Sequence, residues 1–553
     1  MPISSPVISR LVTGLLSVKA GGPNLNSCLE PRMIRYFLLT LLILCTTLPV
    51  AAARPSSQPA PSGVWYEIFV RSWVDTNGDG IGDLNGVTAK LDYLKSLGVS
   101  GIWLMPINPS PSYHGYDITN YEAINPQYGS MADFERLLAA AHQHGIKVII
   151  DLVINHSSDQ HPWFKAAQNP NDPHHDWYSW ASPRTDLHAL NATGSPAWDA
   201  APNGQHYLGV FAPTMPDLNY DNPAVRREMI AIGRFWLRKG VDGFRLDAAQ
   251  HVYLNFDSQW NDPDVLRQNL AWWSQFMRGL DTVNPRVYVV GEVTQKTPEV
   301  LAPWFGVLSA VFDFPLAKQL VESARIGQAG GLPGLLDRTT RDYHAVTGKD
   351  GVDAPFLSNH DQERVMSQLH DNPGQMRVAA AMLLTLPGQP FIYYGEELGM
   401  RGDKPDPDLR EPMRWYRNAQ GTGETHWKAF SAGDGANISV QAEQSDPHSL
   451  LARYRELIGW RRHISALRDG ALVARELGNP QLVAWELSDP NADVLVVHNL
   501  SDHSQTVQLG SHDLQRFGRV GKHTVGATTL AQGVLQLPAY GSAILQPTAV
   551  SAK

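Results

Sequence analysis

From Val64 onward, short runs in which nearly every position is apolar alternate with longer stretches carrying a hydrophobic residue every three or four positions. The short runs are GVWYEIFVRSW, GIWLMP, IKVIIDLVINH, GFRLDAA, RVYVVGEV, AVFDF, APFLSNHD and QPFIYYGEE. Their length and their content of β-branched and aromatic residues predict strands. ADFERLLAAAHQHG, AVRREMIAIGRFWLRKG and QMRVAAAMLLTLPG predict helices that end near Gly145, Gly240 and Gly388. Strands apolar on both faces belong to parallel sheets, and eight of them separated mainly by helices predict a (β/α)8 TIM barrel over residues 63–467. A doubly wound sheet is the alternative, but the chain offers no glycine-rich phosphate loop to support it.

The rhythm breaks between DLVINH and GFRLDAA, where the interval is too long for one strand–helix unit. Asn171 to Tyr220 is rich in Pro, Asp, Asn and Trp. This predicts an inserted subdomain over 156–216, on the loop after the third strand, where long excursions are usually functional. After SLLARYRELIGWRRHISAL the helical pattern stops. LVAWELS, DVLVVHNLS, HTVGATTLA and GVLQLPAYGSAILQ then predict a separate antiparallel β domain over 468–553.

The first 53 residues read as an address. Arg35 precedes an apolar run, Ala51 to Ala53 supply small residues for cleavage, and a Pro/Ser-rich linker occupies 54–62. A membrane anchor is the rival reading, but Thr46, Thr47 and Pro49 interrupt a run already short for a span. The expectation is therefore a secreted or periplasmic protein with no stable membrane anchor after signal cleavage. Met33 is a candidate start, since residues 1–32 would otherwise bury the signal inside the chain. Cys28 and Cys45 are the only cysteines, so a chain cut after Ala53 carries no disulfide. A net charge of −9 without a dense Lys/Arg stripe gives no footprint for nucleic acid, and a monomer is expected.

Candidate chemistry gathers at the predicted strand ends, which in such a barrel form one face. VIIDLVINH ends in Asp151, Asn155 and His156; GFRLDAAQH carries Arg245 and Asp247; VYVVGEV carries Glu292; FLSNHDQER carries His360 and Asp361. Residues i and i+2 of a strand share a side, so Arg245 and Asp247 both enter the barrel mouth, where the arginine can hold the aspartate ionised. Glu292 arrives from the next strand, and two carboxyl groups facing one bond are what glycoside hydrolysis requires. Asp247 is placed as nucleophile and Glu292 as acid/base, its pKa raised by repulsion from Asp247 and Asp361. A retaining mechanism would set the two carboxyl groups about 5–5.5 Å apart.

DLVINH, MPDLN, GFRLDAAQH, GEV, NHD and GQPFIYYGEE, in this order, resemble the α-amylase family of glycoside hydrolases, and the likeness runs from about Val64 to Ile544. The resemblance implies an α-glucan substrate and makes Asp361 a third acidic residue that binds sugar hydroxyls, with His156 and His360 steadying the same sugar. In HGYDITNY, Tyr116 would stack under that sugar with Asp117 beside it. His251 fits a contact on the leaving-group side, whereas Gln250 departs from the Lys of many family amylases. The family also contains α-glucosidases, glucanotransferases and trehalose-forming isomerases, and a noncatalytic sugar-binding relative or a metal-dependent hydrolase are further alternatives.

DTNGDGIGD places Asp75, Asn77, Asp79 and Asp83 at alternating spacing, with the Ile81 carbonyl as a further oxygen. Hard oxygen donors at this spacing predict a structural Ca2+ site. It is not an EF-hand, because the twelfth loop position is Gly86. The loop resembles the one after the first barrel strand in calcium-binding family members.

Overall fold

A computed structural model of the chain describes residues 63–349, 352–417, 421–430, 438–491 and 493–548. The signal-like segment, Cys28, Cys45 and the linker lie outside the described residues. Strands β1 (Trp65–Ile68), β2 (Gly101–Leu104) and β3 (Lys147–Leu152) come first. A separate hairpin, β4 (Trp198–Ala200) and β5 (His206–Leu208), follows. Then β6 (Gly243–Leu246), β7 (Tyr288–Gly291), β8 (Ala310–Val311) and β9 (Phe391–Tyr393) rejoin the first three in one parallel sheet, with β9 beside β1. The remaining position, between β8 and β9, is taken by the segment around Ala354, which bridges to Phe312, while the Pro355 carbonyl accepts a hydrogen bond from Phe391 N at 2.9 Å. The ring of strands therefore closes into a (β/α)8 barrel. APFLSNHD shrinks to this single bridge because Pro355 has no N–H to contribute to a ladder.

The strands are largely apolar on both sides because each face meets a different core. Trp65, Trp103, Ile149, Val290, Phe312 and Phe391 pack together inside the barrel. Tyr66, Ile102, Ile150, Phe244 and Val289 point the other way, into the core shared with the helices. Successive strand residues alternate in direction, so the residue two further along returns to the interior. From Trp65, Ile149, Gly243 and Val290 that step reaches Glu67, Asp151, Arg245 and Glu292. The apolar plug is thus capped by a layer of charge.

The helix Pro223–Lys239 shows how the outer layer is made. Asn222 accepts the Ala224 N–H, Pro223 occupies the first turn, and Gly240 ends the helix at φ 105°. Val225, Met229, Ile232 and Trp236 form its buried stripe, and such side chains contribute about 1.5–3 kcal/mol each. Among the described residues no helix is long and apolar enough to cross a membrane.

The excursion after β3 contains the helix Pro162–Ala167 and the β4–β5 hairpin, and closes at an antiparallel bridge between His156 and Asp217. Beyond the helices, β10 (Ala471–Arg475), β11 (Leu482–Ser488), β12 (Asp493–Asn499), β13 (Gln505–Gln508), β14 (Arg519–His523), β15 (Thr529–Ala531), β16 (Val534–Leu537) and β17 (Ser542–Gln546) form two antiparallel sheets. Leu482, Ala484, Leu495 and Leu545 fill the space between these sheets. Val483, Trp485, Val496 and Ile544 face the core continuous with the barrel. HTVGATTLA is split by a turn at Gly526, so it supplies the end of β14 and the whole of β15 instead of one strand.

Gly243 opens β6, the strand that delivers Arg245. A Cβ at this position would stand 1.7 Å from the Tyr288 carbonyl oxygen of β7. G243A is expected to force the two strands apart, costing about 1–3 kcal/mol or more. Thermal unfolding followed by circular dichroism checks this; an unchanged melting temperature would contradict the packing described.

Candidate active site

Arg245 is fully buried and organises the mouth of the barrel. Its Nη1 donates to Asp151 Oδ1 at 3.0 Å and to Asp247 Oδ1 at 2.6 Å, and its Nη2 pairs with Glu292 Oε2 at 2.8 Å. Asp247 lies one residue beyond β6, and Glu292 one beyond β7. One planar guanidinium therefore holds both proposed reacting carboxyls on the same rim. Ala248, just after Asp247, adopts the left-handed conformation at φ 47°, which is costly for a residue with a Cβ. In that conformation its N–H donates to Glu292 Oε2 at 3.0 Å, a second restraint on the same oxygen.

The three acids differ in environment. Burial raises the carboxyls of Asp247 and Glu292 above their ordinary values while Arg245 opposes the shift in both. For Glu292 the charges of Asp247 and Asp361 add to the rise. Burial, more than the like-charge repulsion read from the sequence, is thus the main cause. Asp361 behaves oppositely: removal from bulk water works against its charge, yet His360 and Arg410 hold it well below the usual carboxylate range. Its side chain is 45% exposed, against 11% for Asp247 and 14% for Glu292, so it faces the open mouth.

The expected sugar-binding residues surround this trio. The Tyr116 hydroxyl donates to Asp151 Oδ2 at 3.1 Å and lies 2.6 Å from His360 Nε2, with the two rings stacked at 5.5 Å. Asp117 is buried and accepts from the hydroxyls of Ser110 and Ser112, so it orders the loop that carries Tyr116. Burial pushes His156 down to about 4, and the neutral ring donates from Nε2 to the Tyr116 carbonyl at 3.1 Å. His251 is likewise lowered by burial and donates from Nδ1 to the Leu254 carbonyl at 3.0 Å. Gln250 donates to Thr294 Oγ1 at 2.7 Å and lies 3.1 Å from His251 Nε2, away from the reacting carboxyls. Asn155 donates to Asp217 Oδ1 at 3.2 Å, which fastens MPDLN to the end of β3.

Several residues escaped the sequence reading. Arg410 clamps Asp361 Oδ1 at 2.7 Å from beyond the last barrel strand, where nothing in LREPMRW signals a role. Phe211, 40% exposed on the inserted segment, has its ring 5.5 Å from His156 and 5.3 Å from His251. Glu67, a lone carboxylate in the apolar WYEIFV, carried the same signal that exposed Arg245 and Asp247.

The Asp75 loop lies apart from this constellation. Asp75 accepts from the N–H groups of Asn77, Gly78 and Gly80, Asn77 accepts from Asp79 N, and Asp79 accepts from Ile81 N. Asp83 turns to Thr76 and caps the helix Leu84–Ala89 through Gly86 N at 2.8 Å. Among the described residues no three His, Cys, Asp or Glu side chains group closely enough to hold a metal. A cation here would rest on Asp75 and Asp79 together with the neutral oxygens of Asn77 and Ile81, a donor set that suits a hard ion.

A closed barrel whose strand ends present two carboxyls on one arginine, with a third acid at the rim, defines a glycosidase-type site. The chain belongs to the α-amylase catalytic-domain family, glycoside hydrolase family 13, which matches residues 67–470. The α-amylase SusG C-terminal domain matches 482–544. The chain is similar to alpha-amylase 3 of Dictyoglomus thermophilum, 40% identical over 81% of this chain and 87% of that one. It also resembles the 4-alpha-glucanotransferase of Thermotoga maritima, 34% identical over 79% and 96% of the two chains. The crystal structure of an alpha-amylase from H. orenii superposes with a TM-score of 0.80 at 40% identity, covering 88% of this chain and 99% of that one.

R245K is expected to lower kcat by about 100-fold or more, because an ammonium cannot hold Asp247 and Glu292 from two fixed nitrogens. Steady-state kinetics on a chromogenic maltooligosaccharide, with circular dichroism confirming the fold, checks this.

Proposed function

We propose that the protein is a retaining, endo-acting α-amylase that cleaves internal α-1,4-glucosidic bonds of starch, glycogen and maltooligosaccharides. The observation that carries the chemistry is the shared grip of Arg245 on Asp247 and Glu292. Because the arginine engages Asp247 through Oδ1, Oδ2 attacks the anomeric carbon. The glycosidic C–O bond breaks as Glu292 gives its proton to the departing oxygen. Water then attacks the glycosyl–Asp247 ester, returns a proton to Glu292 and releases the aspartate. Asp361, charged and exposed, binds hydroxyls of the sugar undergoing reaction. Similarity to the D. thermophilum alpha-amylase and the placement of His251 beside the mouth favour hydrolysis of a glucan chain. The likeness to a glucanotransferase makes transfer to a sugar acceptor the second reading.

A maltoheptaose blocked at its non-reducing end separates these readings. Early release of several internal fragments is the expected result. An untouched blocked substrate, with glucose released from the unblocked one, would instead indicate an exo-acting α-glucosidase; products longer than the substrate would indicate transfer. E292Q is expected to abolish turnover of either substrate.

The proposal extends to a structural Ca2+ on Asp75, Asn77, Asp79 and the Ile81 carbonyl, with Asp83 shaping the loop from behind. An ion that binds only the folded chain stabilises it by about 2.7 kcal/mol at a hundredfold excess over its Kd. Chelation is therefore expected to lower the melting temperature, and added Ca2+ to restore it. Identical melting with and without chelator in wild type would remove the ion from this loop.

A further inference from the structure

Glu67 is buried on β1, inside the barrel, and no step described so far uses it. Its Oε1 lies 2.6 Å from His360 Nδ1. On the opposite side of the ring, His360 Nε2 lies 3.1 Å from Asp361 Oδ2 and 2.6 Å from the Tyr116 hydroxyl. We propose that Glu67 is a positioning residue for the reaction: its carboxylate holds His360 as the doubly protonated imidazolium that orients and balances Asp361. This rests on the reading of Asp247, Glu292 and Asp361 as a glycosyl-transfer site.

Donors and acceptors around the ring fix its charge. A carboxylate only accepts, and neutral histidine has one N–H and one bare nitrogen. With a carboxylate against each ring nitrogen, a neutral ring would set one lone pair against another. The imidazolium satisfies both. Tyr116 fits the imidazolium: with its hydroxyl proton directed to Asp151 Oδ2, its oxygen can accept from His360. The remaining neighbours do not supply an alternative. Trp103 of β2 packs edge-on at 5.5 Å and is neutral. Asp247 acts on His360 only at longer range, and Arg410 binds the His360 backbone carbonyl at 3.0 Å rather than its ring. Although burial works against its charge, Asp361 and Glu67 together push His360 up to about 9.

The result is a row of alternating charge, Glu67, His360, Asp361 and Arg410, that begins in the barrel interior and ends at the mouth. Replacing Glu67 by a neutral group removes the demand for a proton on Nδ1. His360 would then lose its proton at a lower pH, and Asp361 would lose the charge of the ring while keeping those of Arg410 and Arg245. The sign is that of a base whose native pKa is raised: the contribution of the charged ring is complete below the ordinary histidine value and disappears as the pH climbs through about 9.

The test compares wild type, E67Q and E67D by two readouts. One is the NMR titration of 13C-labelled histidines, with His360 assigned from H360Q; the other is the pH profile of kcat/KM on a chromogenic maltooligosaccharide. E67Q is expected to lower the titration of His360, and with it the alkaline limb of the profile, by about one pH unit or more. E67D, which keeps the charge, should return both toward wild type. His360 titrating alike in wild type and E67Q, or E67D behaving as E67Q, would overturn the proposal. Should E67Q not fold, wild type decides: titration above pH 8 sustains the assignment, and titration near the ordinary value of about 6.5 overturns it. A wild-type protein inactive on all glucosides would defeat the proposed function, whereas the NMR titration would still judge Glu67.

Discussion

One buried cation governs the mouth of this barrel. Arg245 has Asp151, Asp247 and Glu292 around it, so three carboxyls meet one guanidinium in a region removed from water. Full ionisation of all three is unfavourable, and burial raises each of them. A raised carboxyl is what a general acid requires. Arg245 keeps its charge, and its guanidinium lies 5.0 Å over the Trp103 ring. The apolar plug below and the charged layer above are thus in direct contact at this residue.

The strand geometry explains why the layer is continuous. Glu67, Asp151, Arg245 and Glu292 come from four different strands, each two residues beyond an interior position occupied by Trp65, Ile149, Gly243 or Val290. The parallel register sets Asp151, Arg245 and Val290 side by side, so Glu292 stands two residues nearer the mouth, and Glu67, in line with Trp103 and Ile149, lies one step deeper. Gly243 contributes by having no side chain where β6 meets β7 most closely.

Loops complete what the strands begin. Tyr116 reaches in after β2 and links Asp151 to His360, so the charges around Arg245 and those around Asp361 form a single network. Arg410 closes it from beyond β9, and Phe211 lays an exposed ring between His156 and His251. The inserted segment can hold that ring in place because its ends are tied to the barrel through Asn155, His156 and Asp217.

Much of this was legible in the linear chain, for identifiable reasons. Short apolar runs separated by capped helices specify a parallel barrel, since only buried strands tolerate apolar residues on both faces. Charges two apart in such a run, as at Arg245 and Asp247, specify a polar layer inside it. The seventh strand was overstated because the apolar pattern of APFLSNHD does not reveal the hydrogen bond that Pro355 cannot make. Glu67 carried a readable signal, but its importance depends on His360 arriving from the far end of the barrel, 293 positions away in the chain. Arg410 and Phe211 gave no signal at all, being ordinary residues in irregular segments. The sequence by itself determined which residues face inward and which chemistry they bring, because period and residue type are local properties. Only the tertiary structure decided which of them meet, because hydrogen-bond partners and pKa shifts depend on distances that strand pairing and long loops set together.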